Sequence, residues 1–502
     1  MNCLAAEIEK ETERMDGSRK RKQHETIATS LPDIAENTDV FQRHLLSYLS
    51  IGDFVKLRPV SKRFLPPIDD DTCWKILSHR DLGIETNKQA PEYNPHTKSY
   101  DKLREFQTYK ESYQQWLKWQ QLTYNGIEPR HMVQAIDLWS RCKTALKQKG
   151  LTKILDSLQP PPNVYEDGST NGLKSHKFYE MVAANNFPSS FMAFYAIHGG
   201  HSALQHSDVD GFFAGLFGSY SCYNLFYSMR LTDIEAPFTG YDNTLTKILI
   251  GSNVGNPRTL LLLDYGSNEG PEGSMYLGYY QSDTRHLVCR GGLLSYFETF
   301  VERLERNVYQ PSTIRFGPKS LLGLCLFPET GDTVSVAVTN GVEVRASARW
   351  FPDRRRGGAM NFGYSIRIRL AESDHSDQGE AVSCQLVDRN WEFHYADGTT
   401  RRVQGEGVTG KQPILFRREN GDSGFIDMGP AGTGETNLHA TFVYQSQSGP
   451  VPGTSSEDVT RASNAFVRGT FSFRPGSIDA PTGPLFLVTV ADFPLRVTLP
   501  FY

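Results

Sequence analysis

Residues 401–416 read RRVQGEGVTGKQPILF, and Gly405, Gly407 and Gly410 within them form the pattern G-x-G-x-x-G. In a dinucleotide-binding fold this pattern follows a buried strand and opens a helix whose N-terminus faces the pyrophosphate. Here the preceding TTRRV is polar, Pro413 follows closely, and ILFRRENGDSGF has no helical period. The segment therefore predicts a glycine loop between two strands of a β-sandwich, where glycine permits positive φ and close packing.

Alternating segments lie on both sides of this loop. Apolar and polar residues alternate, with many β-branched residues, in DTVSVAVTNGVEVRASARWF, NFGYSIRIRLA, VSCQLVDRNWEFHYADGTTRRV and FLVTVADFPLRVTLPF. Gly, Asn, Asp and Pro clusters separate these segments, as expected between short strands. Residues 326–502 are therefore predicted to form an all-β domain, with an inserted Pro/Ser/Gly-rich loop at 447–464.

Residues 159–325 combine strand and helix signals. LTKILIGS, RTLLLLDY and YLGYYQ read as strands, and LLSYFETFVERLERNV reads as an amphipathic helix. FPSSFMAFYAIHGG predicts a short helix that ends at Gly199 and Gly200, because glycine tolerates the left-handed conformation that often ends a helix. This region is predicted to be a mixed α/β domain.

The N-terminal third has helical spacing. Phe41, Leu45 and Leu49 recur at intervals of four residues, and a similar spacing continues from Phe54. SYDKLREFQTYKESYQQWLKWQQL (99–122) and MVQAIDLWSRCKTALKQKG (132–150) predict long helices, so residues 81–158 are expected to form a helical linker. Residues 1–30 are polar and charged and are predicted to be disordered.

Composition narrows the functional class. The 502 residues carry a net charge of −4, which provides no overall field toward nucleic acid or membrane. Seven cysteines are scattered without a C-x-x-C pair, which argues against a disulfide framework or a four-thiolate zinc site. No apolar run reaches the roughly 20 residues of a spanning helix. We expect an intracellular protein, cytoplasmic or nuclear; RKRK at 19–22 is either a nuclear import signal or a solvated run.

Two short motifs suggest catalysis but lack its other parts. GDSG at 421–424 resembles the nucleophile loop of trypsin-like proteases, yet no matching histidine motif precedes it, so Ser423 is expected in a turn. HGGHS brings His198 and His201 close in sequence to His206, but without a carboxylate or thiolate at ligand spacing it predicts a surface turn. No catalytic residue, metal or cofactor is predicted.

Residues 38–77, TDVFQRHLLSYLSIGDFVKLRPVSKRFLPPIDDDTCWKIL, resemble an F-box. F-boxes are short helical motifs that dock on the Skp adaptor of cullin-based ubiquitin ligases. The paired leucines with SYL, the Asp-Phe pair and VSKRF carry the resemblance. It implies an F-box over residues 31–80 whose adaptor-binding side chains are Phe41, Leu45, Leu46, Leu49, Phe54, Leu57, Val60, Phe64 and Trp74.

The C-terminal region resembles the ApaG domain. GYSIRIRL, CQLVDRNWEFHYADGTTRRVQGEGVTGKQPIL and VTLPF carry this resemblance. It implies an immunoglobulin/fibronectin-like sandwich over 326–502, and a pyrophosphate role for the glycine pattern has been suggested within that family. The arginine-rich DRRRGG and the 447–464 loop depart from compact bacterial ApaG.

The middle region is similar to the SUKH (Smi/Knr-like) superfamily, through FPSSFMAFYAIHGG, GLFG at 215–218 and the FETFVERL helix. The fold class expected for the whole chain is thus multidomain: an α-helical F-box region, an α/β SUKH-like domain at 159–325 and an all-β sandwich. This order of domains resembles the F-box-only-three family and plant Skp-interacting F-box proteins.

The resemblance implies the substrate-recognition subunit of a Skp–cullin–F-box ubiquitin ligase, without catalysis of its own. Its partners would be the adaptor, through it a cullin, and an unknown protein substrate. Two alternatives are an ApaG-based phosphate or nucleotide sensor or hydrolase, and a scaffold that binds the adaptor but no cullin. Arginine pairs well with carboxylates and phosphates, so the candidate substrate-binding residues are Arg354, Arg355, Arg356, Arg401 and Arg402.

Overall fold

The structure, a computed structural model, describes residues 70–84, 88–94, 96, 99–122, 126–161, 186–201, 215–222, 225–231, 247–253, 259–279, 285–316, 319–351, 360–372, 382–418, 421–438, 440–452 and 464–496. The chain divides into two compact units. The first comprises Met1–Lys88 with Glu105–Gln114, and the second comprises Gln89–Arg104 with Gln115–Tyr502.

The described part of the first unit is built on helix α1, Asp71–Leu82. Asp70 caps its N-terminus by accepting a hydrogen bond from the Thr72 amide, and Gly83 ends it in the left-handed conformation at φ 66°. Trp74 is 2% exposed and packs edge-on against Tyr113, with 5.5 Å between ring centroids. The Tyr113 hydroxyl donates to Asp81 at 2.6 Å, which ties α1 to the residue 109–114 segment.

A hairpin precedes the long helices. Strands β1 (Gln89–Asn94) and β2 (Ser99–Glu105) pair with each other, and helices α2 (Tyr109–Leu122), α3 (Pro129–Gln148) and α4 (Thr152–Asp156) follow. The helix prediction over 99–122 is thus correct from Tyr109 onward and wrong for Ser99–Glu105. The polar, charged SYDKLRE has a weak strand signal, and its pairing with β1 overrides that local preference.

The middle region forms an eight-stranded sheet with helices packed together beside it. Helices α5 (Ser189–Tyr195) and α6 (Gly292–Glu305) bury aromatic side chains against Trp139 of α3; its ring lies 5.0 Å from Phe194 and 4.8 Å from Phe297. The sheet has the order β8-β7-β6-β5-β4-β3-β10-β9. Its strands are β3 (Ser219–Cys222), β4 (Leu225–Leu231), β5 (Lys247–Asn253), β6 (Thr259–Asp264), β7 (Ser274–Tyr279), β8 (Arg285–Arg290), β9 (Gln310–Phe316) and β10 (Lys319–Cys325).

Two further sheets contain the remaining strands. The first has the order β11-β12-β13-β19, with β11 (Val334–Thr339), β12 (Val342–Phe351), β13 (Met360–Leu370) and β19 (Phe442–Val451). The second has the order β18-β17-β16-β14-β20-β21, with β15 also paired to β14. Its strands are β14 (Val382–His394), β15 (Thr400–Glu406), β16 (Ile414–Arg417), β17 (Ser423–Ile426), β18 (Thr436–Leu438), β20 (Phe466–Pro475) and β21 (Phe486–Pro494).

These two sheets form a sandwich with an aromatic core. Tyr364 of β13 lies 6.0 Å from Trp391 of β14 and 6.1 Å from Phe493 of β21, measured between ring centroids. Rings from both sheets are buried there, as alternating inward-facing residues require. The chain is therefore multidomain and mostly β-sheet with a few helices, and the predicted sandwich is confirmed. No helix among the described residues is long and apolar enough to cross a membrane.

The sandwich and the eight-stranded sheet belong to the same compact unit. Arg367 of β13 pairs with Glu329 at 2.8 Å, and the Arg349 guanidinium lies 4.7 Å from the ring centroid of Tyr220 on β3. The two arginines are 7% and 8% exposed, so both are packed into this junction. The domain boundaries at 158/159 and 325/326 stay predictions.

Candidate binding cleft beside the glycine loop

The glycine pattern lies where strand β15 leaves the sheet. Gly407, at φ 55°, donates its amide to the Val387 carbonyl at 2.8 Å. Val408 and Lys411 then exchange backbone hydrogen bonds of 2.8 and 2.9 Å around a tight turn. Both central residues of that turn have positive φ, 49° at Thr409 and 78° at Gly410. The loop leads into strand β16, as the polar flanks and Pro413 predict, and not into a helix.

Each of the three glycines is required at its position for a different structural reason. A Cβ on Gly407 would lie 2.5 Å from the Lys411 carbonyl oxygen, and one on Gly410 would lie 3.0 Å from Ala431 Cβ. Gly405 has no positive φ; a Cβ there would lie 3.2 Å from the Arg389 guanidinium. Thr409 is β-branched, and holding it at positive φ costs roughly 1–3 kcal/mol, a strain common at ligand sites.

Gly407→Ala is expected to lower the stability of the sandwich by about 2 kcal/mol, because alanine is strained at this φ and its methyl would meet a backbone oxygen. Gly405→Ala is the matched control, since only the flexible end of Arg389 must move. The stabilities of the two variants can be compared by thermal melting of the full-length chain and, separately, by hydrogen exchange across residues 382–418. Equal losses for both variants would contradict the proposed role of positive φ.

The loop is poorly suited to cradle a phosphate. A phosphate cradle offers free backbone amides, but those of Gly407, Val408, Lys411 and Gln412 already donate to carbonyls of the chain. The loop is instead fastened to residues 427–435: Gln412 donates to the Met428 carbonyl at 2.7 Å. A dinucleotide role for the glycine pattern is therefore not favoured.

A buried ion pair reinforces this attachment. The Lys411 ammonium donates to the Asp427 carboxylate, and the two residues are only 8% and 4% exposed. Lys411 is also the one lysine in residues 327–502. The loop conformation thus depends on two charges that are removed from water together.

The loop borders a cleft of about 210 Å³ between the two sheets of the sandwich. One wall comes from β14 and β15 and includes Trp391 and Phe393; the other comes from β13 and β19 and includes Tyr364 and Tyr444. These four rings are buried and form an aromatic floor. The rim is polar, with Arg389, Arg401, Thr409, Ser446, Gln447 and Ser448.

Arginines supply all the formal charge in the lining. Arg389 extends over Gly405 and donates to the Gly407 carbonyl at 2.5 Å, so the glycine loop positions it. Arg401 is exposed at the rim. The lining contains no carboxylate, so the cleft is suited to an anionic or acceptor-rich group with an apolar neighbour.

The structure separates the predicted arginines. Arg401 lines the cleft, but Arg402 does not and pairs with Glu392 at 2.9 Å. Successive residues of a strand point to opposite faces, which explains the difference. Arg354, Arg355 and Arg356 lie outside the described residues.

Of the residues expected at the adaptor, only Trp74 is described. It is buried against Tyr113 within its own chain, and its adaptor role stays a prediction. The other eight, Phe41 to Phe64, lie outside the described residues. Ser423, expected in a turn, is instead the first residue of strand β17.

Gly199, Gly200 and His201 are buried and His198 is half-buried, so the surface-turn prediction is wrong for these four residues. Helix α5 ends at Tyr195, before the glycines, and the main chain then pairs with residues 158–159. Gln159 and Gly200 share a hydrogen bond of 2.8 Å, and His201 is 0% exposed. The His198 ring packs 4.6 Å from Trp139, and burial lowers its pKa to about 3. His206 lies outside the described residues.

Lowering the pH from 7 to 5 is expected to destabilise the middle region by about 2 kcal/mol through His198 alone. The unfolded imidazole binds a proton near pH 6.5 and the folded one only near pH 3. Protons therefore favour the unfolded state as the pH falls below 6.5. Chemical denaturation of the chain and of its His198→Gln variant at both pH values would measure this. Parallel pH dependence in the two proteins would contradict it.

One cluster in the described residues has the composition of a metal site. Single ligand atoms of Glu128, His131 and Glu272 lie within 4.8 Å of one another. The cluster already serves as a junction at the N-terminus of α5: His131 Nδ1 lies 2.8 Å from Ser189 Oγ, and Glu272 accepts from the Ser190 amide at 3.0 Å. These contacts explain the cluster without an ion.

Comparisons with known proteins support the sandwich assignment. The family model of the ApaG domain matches residues 353–420. The chain therefore contains an ApaG domain, as its sequence predicts, and seven of the eleven residues that line the cleft lie within the matched range.

The chain is also similar to particular proteins. It is 25% identical over 510 residues to F-box protein SKIP16 from Arabidopsis thaliana, covering 91% of this chain and 97% of that protein. It is 40% identical over 82 residues to Protein ApaG from Anaeromyxobacter sp. (strain K), covering 16% of this chain and 59% of that protein. A crystal structure of an ApaA protein from Bordetella pertussis covers 31% of this chain and 93% of its own at 22% identity, with a TM-score of 0.19.

Proposed function

We propose that this protein is the substrate-recognition subunit of a Skp–cullin–F-box ubiquitin ligase. The observation that carries the proposal is the similarity to an F-box protein over 91% of the chain. The F-box-like pattern of residues 38–77 supports it independently, since it precedes the ApaG domain as expected. The protein would bridge the Skp adaptor to a protein substrate and would carry out no covalent step itself.

The proposed division of labour follows the chain. The F-box at 31–80 binds the adaptor, and the segment 81–158 acts as a spacer. A SUKH-like domain at 159–325 and the ApaG domain at 326–502 then hold the substrate near the conjugating enzyme that carries ubiquitin. Such a receptor accelerates ubiquitin transfer by raising the effective concentration of the substrate lysine.

Co-purification tests the proposal. The full-length tagged chain is expected to bring down both a Skp adaptor and a cullin from cells. Removal of residues 326–502 is expected to retain both partners while the substrate becomes stable. Recovery of the adaptor without a cullin would favour the scaffold alternative, and recovery of neither would contradict the proposal.

The alternative function, a nucleotide sensor or hydrolase, predicts that the chain binds a nucleotide. It requires ATP or a dinucleotide to bind the ApaG domain, whereas the amides of Gly407, Val408, Lys411 and Gln412 already donate to carbonyls of the chain. Calorimetry on the full-length chain is expected to show no micromolar binding of NAD, FAD or ATP. Tight binding that Gly407→Ala removes would favour this alternative.

A further inference from the structure

The cleft contains a buried hydroxyl group whose proton finds no acceptor in the cleft walls. Trp391 is 1% exposed and Tyr444 is 5% exposed. The Trp391 N–H faces the Tyr444 oxygen, but the Tyr444 hydroxyl itself finds no acceptor for its proton among the described residues, and both residues line the cleft. Buried polar groups are nearly always paired with protein or with water, so a ligand acceptor that enters the cleft can complete the pairing of this hydroxyl.

The Tyr444 hydroxyl is a donor under all ordinary conditions. Burial raises its pKa well above 10, and the nearby Arg389 guanidinium and Trp391 N–H offset this only in part. The indole N–H is directed at the Tyr444 oxygen, so the phenolic O–H is the donor that still seeks an acceptor. The ligand group that reaches this hydroxyl is therefore an oxygen acceptor and not an ammonium or a second donor.

The pairing register brings positive charge to the same face. Arg389 pairs with Gly405, Trp391 with Val403, and Phe393 with Arg401 across β14 and β15. Directly paired residues share one face of a sheet, so both arginines stand on the face that carries Trp391. Without a carboxylate in the lining, an acceptor that enters the cleft gains from being anionic.

The volume of the cleft limits the kind of molecule whose anionic group can enter it. Pockets for drug-sized ligands measure roughly 300–1,000 Å³, and a water in the liquid occupies about 30 Å³. A cleft of about 210 Å³ is too small for a dinucleotide but holds one amino-acid side chain with part of its neighbour. The aromatic floor adds apolar contact area for that neighbour.

We propose that this cleft binds a single anionic residue of the protein substrate, with its oxygens directed at Arg389, Arg401 and the Tyr444 hydroxyl. The anion is an aspartate or glutamate carboxylate or a phosphorylated side chain. This inference rests on the proposed function, because it names the substrate chemistry that the ApaG domain reads. It also assigns substrate recognition to the side chains that line the cleft and not to the backbone amides of the glycine loop.

Oriented peptide libraries with one fixed central residue test the inference on the full-length chain. Four libraries carry glutamate, glutamine, phosphoserine or serine at the centre. The unchanged protein is expected to prefer glutamate over glutamine and phosphoserine over serine. The stronger of the two preferences identifies the source of the anion. Equal binding of charged and neutral libraries would overturn the inference.

A double variant and a control variant localise the binding. Tyr444→Phe removes one buried oxygen, and Arg401→Gln removes an exposed charge; together they are expected to weaken binding of the charged library by about fivefold or more. Arg468→Gln is the control, because Arg468 is a half-exposed arginine on β20 that pairs with Glu392 outside the cleft. Equal losses in the control and the double variant would reduce the effect to surface charge and contradict the inference.

Two measurements on the same samples keep the hypotheses separate. Melting temperatures close to that of the unchanged chain show that the variants remain folded. Adaptor pull-down reports on the proposed function alone. Peptide preference without adaptor binding would contradict the ligase role and leave the cleft assignment standing, whereas adaptor binding without peptide preference would contradict only the cleft assignment.

Discussion

Leu46→Asp combined with Leu57→Asp is expected to abolish adaptor pull-down. Burying one leucine side chain contributes roughly 1.5–3 kcal/mol, so losing two removes at least about 3 kcal/mol, or over a hundredfold in affinity. An aspartate at such a position adds the cost of desolvating a charge without a partner. Pull-down of the adaptor by the full-length chain, quantified over a dilution series, measures the effect.

A matched control uses the same chemistry elsewhere in the chain. Leu322 and Leu487 are each 59% exposed, so replacing both by aspartate changes charge and composition equally without emptying a core position. This variant is expected to bind the adaptor as well as the unchanged protein. Undiminished binding by the Leu46/Leu57 variant would remove the basis for an F-box in residues 38–77.

Strands that are continuously apolar or that clearly alternate can be predicted from the sequence. The run TLLLLD forms β6 with all six residues buried, and VSVAVT and VEVRASARWF form β11 and β12 as their alternation indicates. Strand β2 cannot be predicted from the sequence, because Asp101, Lys102 and Arg104 are equally suited to a solvated helix. Only the pairing with β1 reveals the strand. Local periodicity records which faces are buried but not which remote segment pairs with them.

The cleft lay beyond sequence reasoning for a similar reason. The glycine pattern and Arg401 can be recognised from the sequence, whereas Arg389, Trp391 and Tyr444 cannot. Alternation along β14 places Arg389 and Trp391 on one face, but the sequence does not tell where the facing sheet ends. Tyr444 joins them only through β19, which is some fifty residues away and in the other sheet.

Lys411→Met is expected to destabilise the ApaG domain by about 3–5 kcal/mol. Methionine keeps most of the side-chain length but leaves the Asp427 carboxylate, 4% exposed, without its cation. Breaking a buried ion pair from one side typically costs this much, because the remaining charge stays buried and unpaired. Denaturant unfolding of the full-length chain, monitored by hydrogen exchange across residues 400–435, measures the loss.

The double variant Lys411→Met with Asp427→Leu separates charge burial from packing. Replacing both partners of a buried pair by apolar residues is often neutral or stabilising, so it is expected to recover most of the stability that Lys411→Met loses. The second oxygen of Asp427 has no partner among the described residues. Asp427→Leu also removes this unsatisfied oxygen, which favours the double variant further. Because the pair fastens the loop that positions Arg389, Lys411→Met is also expected to weaken peptide binding at the cleft. A double variant as unstable as Lys411→Met would show that the loop depends on specific hydrogen bonds at Asp427, and not on the balance of buried charge.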